Sequence, residues 1–235
     1  MDAAQIERAR EAHRQWLRGP ESYLAAVARH ELPVGSALTI HGHHIEAAPD
    51  GFVVDGGQSG PRTIDAGRYR LRLSHQNAPA VIVLDRDSPH FATPVEPRWF
   101  PYGGAYRFVV PLEPDATPRA IRSTREQDRR ALRVGSLSFG IDGVACRLEA
   151  TRLLEPGVGE GDLEVYFRDA TTGNETYQVG RYVGVEHADD GRYVLDFNRA
   201  YNPACAYSPF YNCPIPPAEN RLTVAIRAGE MTPHA

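Results

Sequence analysis

The sequence predicts a mainly β protein: an antiparallel β-barrel or sandwich built from two meanders, with an N-terminal α-helical segment. Three observations carry this. Apolar residues alternate with polar ones in short runs over most of the chain, as half-buried strands require. Glycine, asparagine and aspartate punctuate those runs at strand-and-turn spacing. Helical periodicity is convincing only near the start, so little is available to connect parallel strands.

The elements follow in order, within what reads as a single domain over 1–235. In the helical segment, 1–30, Ile6, Ala9, His13, Trp16 and Leu17 recur at helical spacing until Gly19-Pro20 interrupts, and a second short helix is expected from Glu21 to about His30. A first meander occupies 34–87, with "SALTIHGHHIEAA", "GFVVDG", "GRYRLRLSHQ" and "AVIVLDRD" as strands. A proline-rich crossing covers 88–118 and holds "RWFPYGGAYRFVVPLEP". The second meander, 131–235, includes "GDLEVYFRDA", "GRYVGVE", "GRYVLDFN" and "NRLTVAIRAG".

Strand parity places Leu163, Val165 and Phe167 on one face, opposite Glu164, Tyr166 and Arg168. It likewise places Tyr193, Leu195 and Phe197 opposite Arg192, Asp196 and Asn198. The polar face is either a solvated exterior with cross-strand ion pairs or a ligand-facing barrel interior.

Composition excludes several chemistries. All 26 basic residues are arginine, which rules out a lysine Schiff base with pyridoxal phosphate and the lysine-bearing phosphate loop. Gly157, Gly159 and Gly161 stand among acidic residues with no helix after them, so no nucleotide-binding motif is present and the cofactor is unassigned. A net charge of -4 without a basic run argues against nucleic acid. No apolar stretch reaches membrane-spanning length and the start lacks a signal peptide, so a soluble cytoplasmic protein is expected. Self-association is left open. No metal site is expected: His41, His43 and His44 in "HGHH" read as an exposed polar strand without zinc spacing. Cys146 reads as a buried strand residue, and Cys205 and Cys213 as two packed thiols that could also close a short loop.

From Asn198 to Asn220 neither period is visible, yet Tyr201, Tyr207, Phe210 and Tyr211 are too apolar for disorder. An ordered loop must pair its backbone amides. Asn198, Asn202, Asn212 and Asn220 can supply partners, and Pro203, Pro209, Pro214, Pro216 and Pro217 reduce the entropy lost on ordering. Such a loop either plugs a barrel end or walls a pocket.

Two stretches, "LEVYFRDATTGNETYQVGRYV" and "YVLDFNRAYNPACAYSPFYNCPIPPAENRLTVAIRAGE", resemble the prokaryotic domain of unknown function 1684 family. The resemblance is dense from Leu163 to Glu230, and compatible upstream through the helix with Trp16 and "WFPYGGAYRFVVPLEP". Asn202-Pro203-Ala204-Cys205 departs from the family's Asn-Pro-Pro-Cys. The resemblance implies a cytoplasmic, mainly β domain with no assigned activity. It draws attention to Arg168, Asp169, Glu175, Tyr177, Arg181, Asp196, Asn198, Arg199, Tyr201, Asn202 and Cys205, without attaching a role to any.

These readings converge on a small-molecule site, for an anionic metabolite, where the Arg168–Arg181 hairpin meets the 198–220 loop. Arg168, Arg181, Asn198, Arg199, Tyr201 and Asn202 are the expected binding residues. Glu175 and Asp196 are the expected acid or base, Tyr177 a hydrogen-bond donor and Cys205 an outside candidate nucleophile. The competing expectation is a non-catalytic binding or assembly module whose polar cluster is a structural network.

Overall fold

The computed structural model describes residues 2–234 apart from Pro61, Asn77, Thr93, Glu126 and Gln127. Met1 in the expected helical segment, Pro61 and Asn77 in the first meander, Thr93 in the crossing and Ala235 in the second meander lie outside the described residues. Helix α1 (Ala3–Leu17) forms where the apolar spacing predicts it. Asp2 and Gln5 close a capping box, each side chain accepting from the other's backbone N–H at 2.8 Å. Ile6 and Leu17 are buried on its inner face.

The next stretch corrects the expectation of a second helix to His30. A single 3-10 turn at Tyr23–Ala25 leads directly into strand β1 (Ala26–Glu31). The cause is tertiary: β1 pairs antiparallel with a strand far along the chain, from Ala26 opposite Leu84 to Glu31 opposite Ala80. No local window contains that partner.

Strands β2 (Ala37–Ile40), β3 (His43–Ala48), β4 (Gly51–Val54) and β5 (Gly57–Ser59) form a four-stranded meander. Strands β6 (Thr63–Ala66), β7 (Tyr69–Gln76) and β8 (Ala78–Asp85) join β1 in a second sheet, ordered β1-β8-β7-β6. Ile45 and Phe52 of the meander pack with Leu71, Leu73, Val81 and Val83, making a small sandwich. The "HGHH" stretch is not one strand. His41 and Gly42, with φ of 47° and 85°, make the two-residue turn between β2 and β3, which twists as a hairpin requires.

Strands β9 (Arg107–Val110), β10 (Leu112–Arg122), β11 (Asp128–Ile141), β12 (Val144–Leu153), β13 (Leu163–Phe167), β14 (Arg181–His187) and β15 (Tyr193–Asp196) build a seven-stranded antiparallel sheet ordered β10-β11-β12-β13-β14-β15-β9. Its two edge strands are separated in sequence only by Pro111, so the sheet curls back toward itself as a half-barrel. Leu148, Val165, Phe167, Val183, Leu195 and Phe197 fill the concave side. The fold is therefore mainly β and antiparallel, as predicted. The expected crossing is shorter than 88–118, because β9 and most of β10 lie inside it. Pro114 and Pro118 sit in β10, and an edge strand tolerates prolines that a central one would not.

The segment "NRLTVAIRAG" also departs from expectation. It joins no ladder beyond a single bridge between Arg168 and Arg221, yet Leu222, Ile226 and Ala228 enter the half-barrel core. A buried ion pair replaces the missing neighbour strand. Arg181, 1% exposed, donates to the carbonyls of Ile226 (2.8 Å), Ala228 (2.5 Å) and Glu230 (3.2 Å), while Asp169 Oδ2 accepts the Ile226 N–H at 2.6 Å.

Asn220 plays the same part between β12 and β13, which share a single register pair, Thr151 with Glu164. Its Oδ1 accepts from Glu149 N–H at 2.7 Å, and its Nδ2 donates to the carbonyls of Glu149 (3.0 Å) and Tyr166 (2.8 Å). Asn220→Ala strands these buried groups and should lower stability by about 2–3 kcal/mol. Urea denaturation checks this. A loss no larger than the roughly 0.5 kcal/mol of a surface substitution would show that the amide is not holding the two strands together.

Candidate functional site: a cavity under helix α1

The 198–220 loop lies where α1, the sandwich and the half-barrel meet. Tyr207 packs with Leu17 and Leu24, and Tyr211 and Cys213 pack with Ala25, Ala26, Ile82 and Leu84. Its asparagines serve the main chain, as expected. Asn198 Oδ1 accepts from Gly103 N–H and Nδ2 donates to Gly103 O, both at 2.9 Å. Asn202 Nδ2 donates to Met231 O at 2.7 Å, and Asn212 Oδ1 accepts from Arg125 N–H at 3.2 Å.

Between the loop's first turn and α1 is a cavity of about 230 Å³. Ile6, Ala9, Arg10 and His13 wall it from the helix, Trp99 and Glu230 from the flanking segments, and Asn198 to Tyr201 from the loop. Glu230 is delivered there by Gly229, whose φ is 74° and where a Cβ would stand 2.6 Å from the carbonyl oxygens of Phe197 and Ala200. Only glycine permits that approach.

Glu230 is 1% exposed. Its Oε2 accepts the Asn202 N–H at 2.6 Å, while Oε1 has no hydrogen-bond partner and faces His13 Nε2, also unpartnered, at 3.9 Å. Burial pushes the Glu230 carboxyl up to about 8, against the opposing pull of Asn202 and the Arg181 charge. Burial likewise lowers the His13 imidazole. Both groups are thus neutral near pH 7, a carboxylic acid beside a free base rather than an ion pair. Arg10 donates Nη2 to Phe100 O at 3.0 Å, lies 5.8 Å from the Trp99 ring centroid and keeps its buried Nε unpartnered. The cavity combines an apolar body with a few unspent polar groups, the usual character of a ligand site.

The structure distributes the sequence-predicted residues unevenly. Asn198, Arg199 and Tyr201 line this cavity, and Asn202 grips Glu230 behind it. Arg199 is ion-paired with Glu186, and the Tyr201 hydroxyl is bonded to Glu164. Asp196 caps the turn at 197–199, its Oδ1 accepting from Asn198 N–H at 3.0 Å. Arg181 is spent on the 226–230 main chain. Like Asp196, Arg181 and Asn202, the remaining predicted residues Arg168, Glu175, Tyr177 and Cys205 do not line the cavity. Arg168 Nε donates to Val179 O (2.9 Å), Glu175 forms a surface pair with Arg227 (2.9 Å), and Tyr177 donates to the carbonyl of Cys205 (3.1 Å).

Sequence reasoning names none of Glu230, His13, Arg10 and Trp99 as site residues. His13 was visible as an imidazole on the apolar face of α1, and Glu230 as a carboxylate ending an apolar run. Their meeting was not visible.

Fold and site together define a mainly β protein with a helix-covered cavity beside a buried carboxyl whose pKa burial raises. The chain belongs to the family described as "Protein of unknown function (DUF1684)", which it matches over residues 96–231. It is similar to an uncharacterized protein from Haloarcula marismortui with a solution NMR structure, at 36% identity over 61% of this chain and 80% of that one, with a TM-score of 0.49. Nothing among curated proteins matches. Among the described residues, no helix is long and apolar enough to cross a membrane.

Proposed function

We propose that the cavity under α1 binds a small carboxylic acid with an apolar body, and that Glu230 and His13 exchange protons with it. The observation that carries this reading is the unpartnered Glu230 Oε1 facing the unpartnered His13 Nε2 at 3.9 Å on the cavity wall. An entering carboxylate accepts from the Glu230 O–H and from Arg10 Nε–H, while Ile6, Ala9 and Trp99 cover its apolar part. A neutral acid beside a free base is equipped for general acid–base chemistry at neutral pH. The anionic metabolite expected from the sequence is kept, with Asn198, Arg199 and Tyr201 as wall residues. Arg181, Asp196 and Asn202 become the frame, which supports the structural-network reading for that subset alone.

The test is native mass spectrometry and calorimetric titration with a panel of short aliphatic and aromatic carboxylic acids. Ala9→Trp serves as the blocking variant, because Ala9 is exposed at the cavity and its replacement leaves the core untouched. Binding by the wild type that falls at least about tenfold in Ala9→Trp, a difference of 1.4 kcal/mol, is the expected result. Equal affinities in the two proteins, or binding of amines but not acids, would sink the reading.

A further inference from the structure

Cys205 and Cys213 take no part in the cavity under α1, although Cys213 is buried in an apolar cluster against which Cys205 packs. Both are free, and they sit in the same loop with the Cys205 N–H donating to Cys213 Sγ at 3.3 Å. The Tyr177 hydroxyl, which donates to the Cys205 carbonyl at 3.1 Å, stands 3.9 Å from the Cys205 sulfur. Thr124 Oγ1 accepts the Cys213 N–H at 3.0 Å. Cys213 borders a second cavity of about 220 Å³, lined by Tyr23, Tyr166, Tyr182 and Tyr201, and Cys205 keeps partial exposure of its own. Cys146 lies apart from this pair, among the apolar residues of the half-barrel core, where its thiol donates to the Val144 carbonyl at 3.7 Å.

We propose that Cys205 and Cys213 form a hydroperoxide-reactive dithiol, with Cys205 the attacking thiolate and Cys213 the resolving thiol. Cys205 is the more exposed of the two, and the Cys213 thiol beside it lowers its pKa against the opposing effect of burial. That contact and burial raise the Cys213 thiol, which keeps its proton until it attacks. In the first step the Cys205 thiolate attacks one peroxide oxygen. An S–O bond forms and the O–O bond breaks. The departing hydroxide takes up the proton that Cys205 released, leaving a sulfenic acid and water. In the second step Cys213 sulfur attacks Cys205 sulfur. The S–S bond forms, the S–O bond breaks, and hydroxide leaves with the Cys213 proton as a second water. Each sulfur loses one electron and the peroxide gains two. An external thiol reductant restores the pair.

The experiment treats the intact protein with stoichiometric hydrogen peroxide at pH 7, alkylates the remaining thiols and maps peptides by mass spectrometry. The expected product is a Cys205–Cys213 disulfide with Cys146 alkylated, formed about tenfold faster than free cysteine is oxidised. Cys213→Ser should stop at a Cys205 sulfenic acid that dimedone captures, and Cys205→Ser should lose the fast reaction. Oxidation spread evenly over all three cysteines, or sulfinic acid at Cys205 of the wild type without a cross-link, would overturn the proposal. The wild-type map decides alone if either variant fails to fold.

Discussion

Arg181→Met is expected to cost about 3–5 kcal/mol of stability, the range for breaking a buried ion pair on one side. The size follows from what the guanidinium holds. Its loss leaves the carbonyls of Ile226, Ala228 and Glu230 without that donor, and leaves the Asp169 carboxylate buried without its cation. Arg181→Lys should be intermediate, because an ammonium point charge cannot span carbonyls two and four residues apart as a planar fork does. Pairing Arg181→Met with Asp169→Asn should recover part of the loss, since no unpaired charge then stays inside. Chemical denaturation at fixed pH reads all three. Additive losses in the double variant would mean that the two side chains act independently, against the coupling their 3.2 Å contact implies.

The second large effect is a pH dependence. The folded Glu230 carboxyl, raised to about 8, holds its proton between the ordinary carboxyl range and that value, whereas the unfolded chain has already released it. The unfolded state therefore binds fewer protons in this window, and stability falls as pH rises. The contribution is fully present below the unfolded pKa and is lost as pH passes about 8. A shift of this size amounts to a few kcal/mol, on the order of 1.4 per unit. Glu230→Gln keeps the shape and the acceptor for the Asn202 N–H but carries no charge. It should match the wild type near pH 4.5 and become progressively more stable than it toward pH 9. The difference between the two proteins isolates this group from other titrations. Parallel pH profiles would return the carboxyl to its ordinary range and remove its role as a proton donor in the cavity.

These two residues also show how far sequence reasoning reaches. Polar density around a strand junction marks Arg181 as a binding residue in the sequence, and that density is real. Its target could not be read, because an arginine aimed at a ligand and one aimed at three carbonyls look alike until the 226–230 segment is placed. The four loop asparagines were easier. A loop without a ladder must find amide partners, and that obligation holds whatever the tertiary arrangement.

The sequence alone determined what depends on neighbours within a few residues: helix α1 and its stop, the alternation that makes β7, β8, β11, β13 and β14 strands, and the rigid order of the loop. It also carried the family. Only the tertiary structure decided the fate of 26–31, the strand-like 222–228 segment without a strand partner, and the meeting of Glu230 with His13. Each depends on a contact between distant parts of the chain. Periodicity records which face of an element is buried, but not which element buries it, and a carboxyl's pKa is set by that second fact.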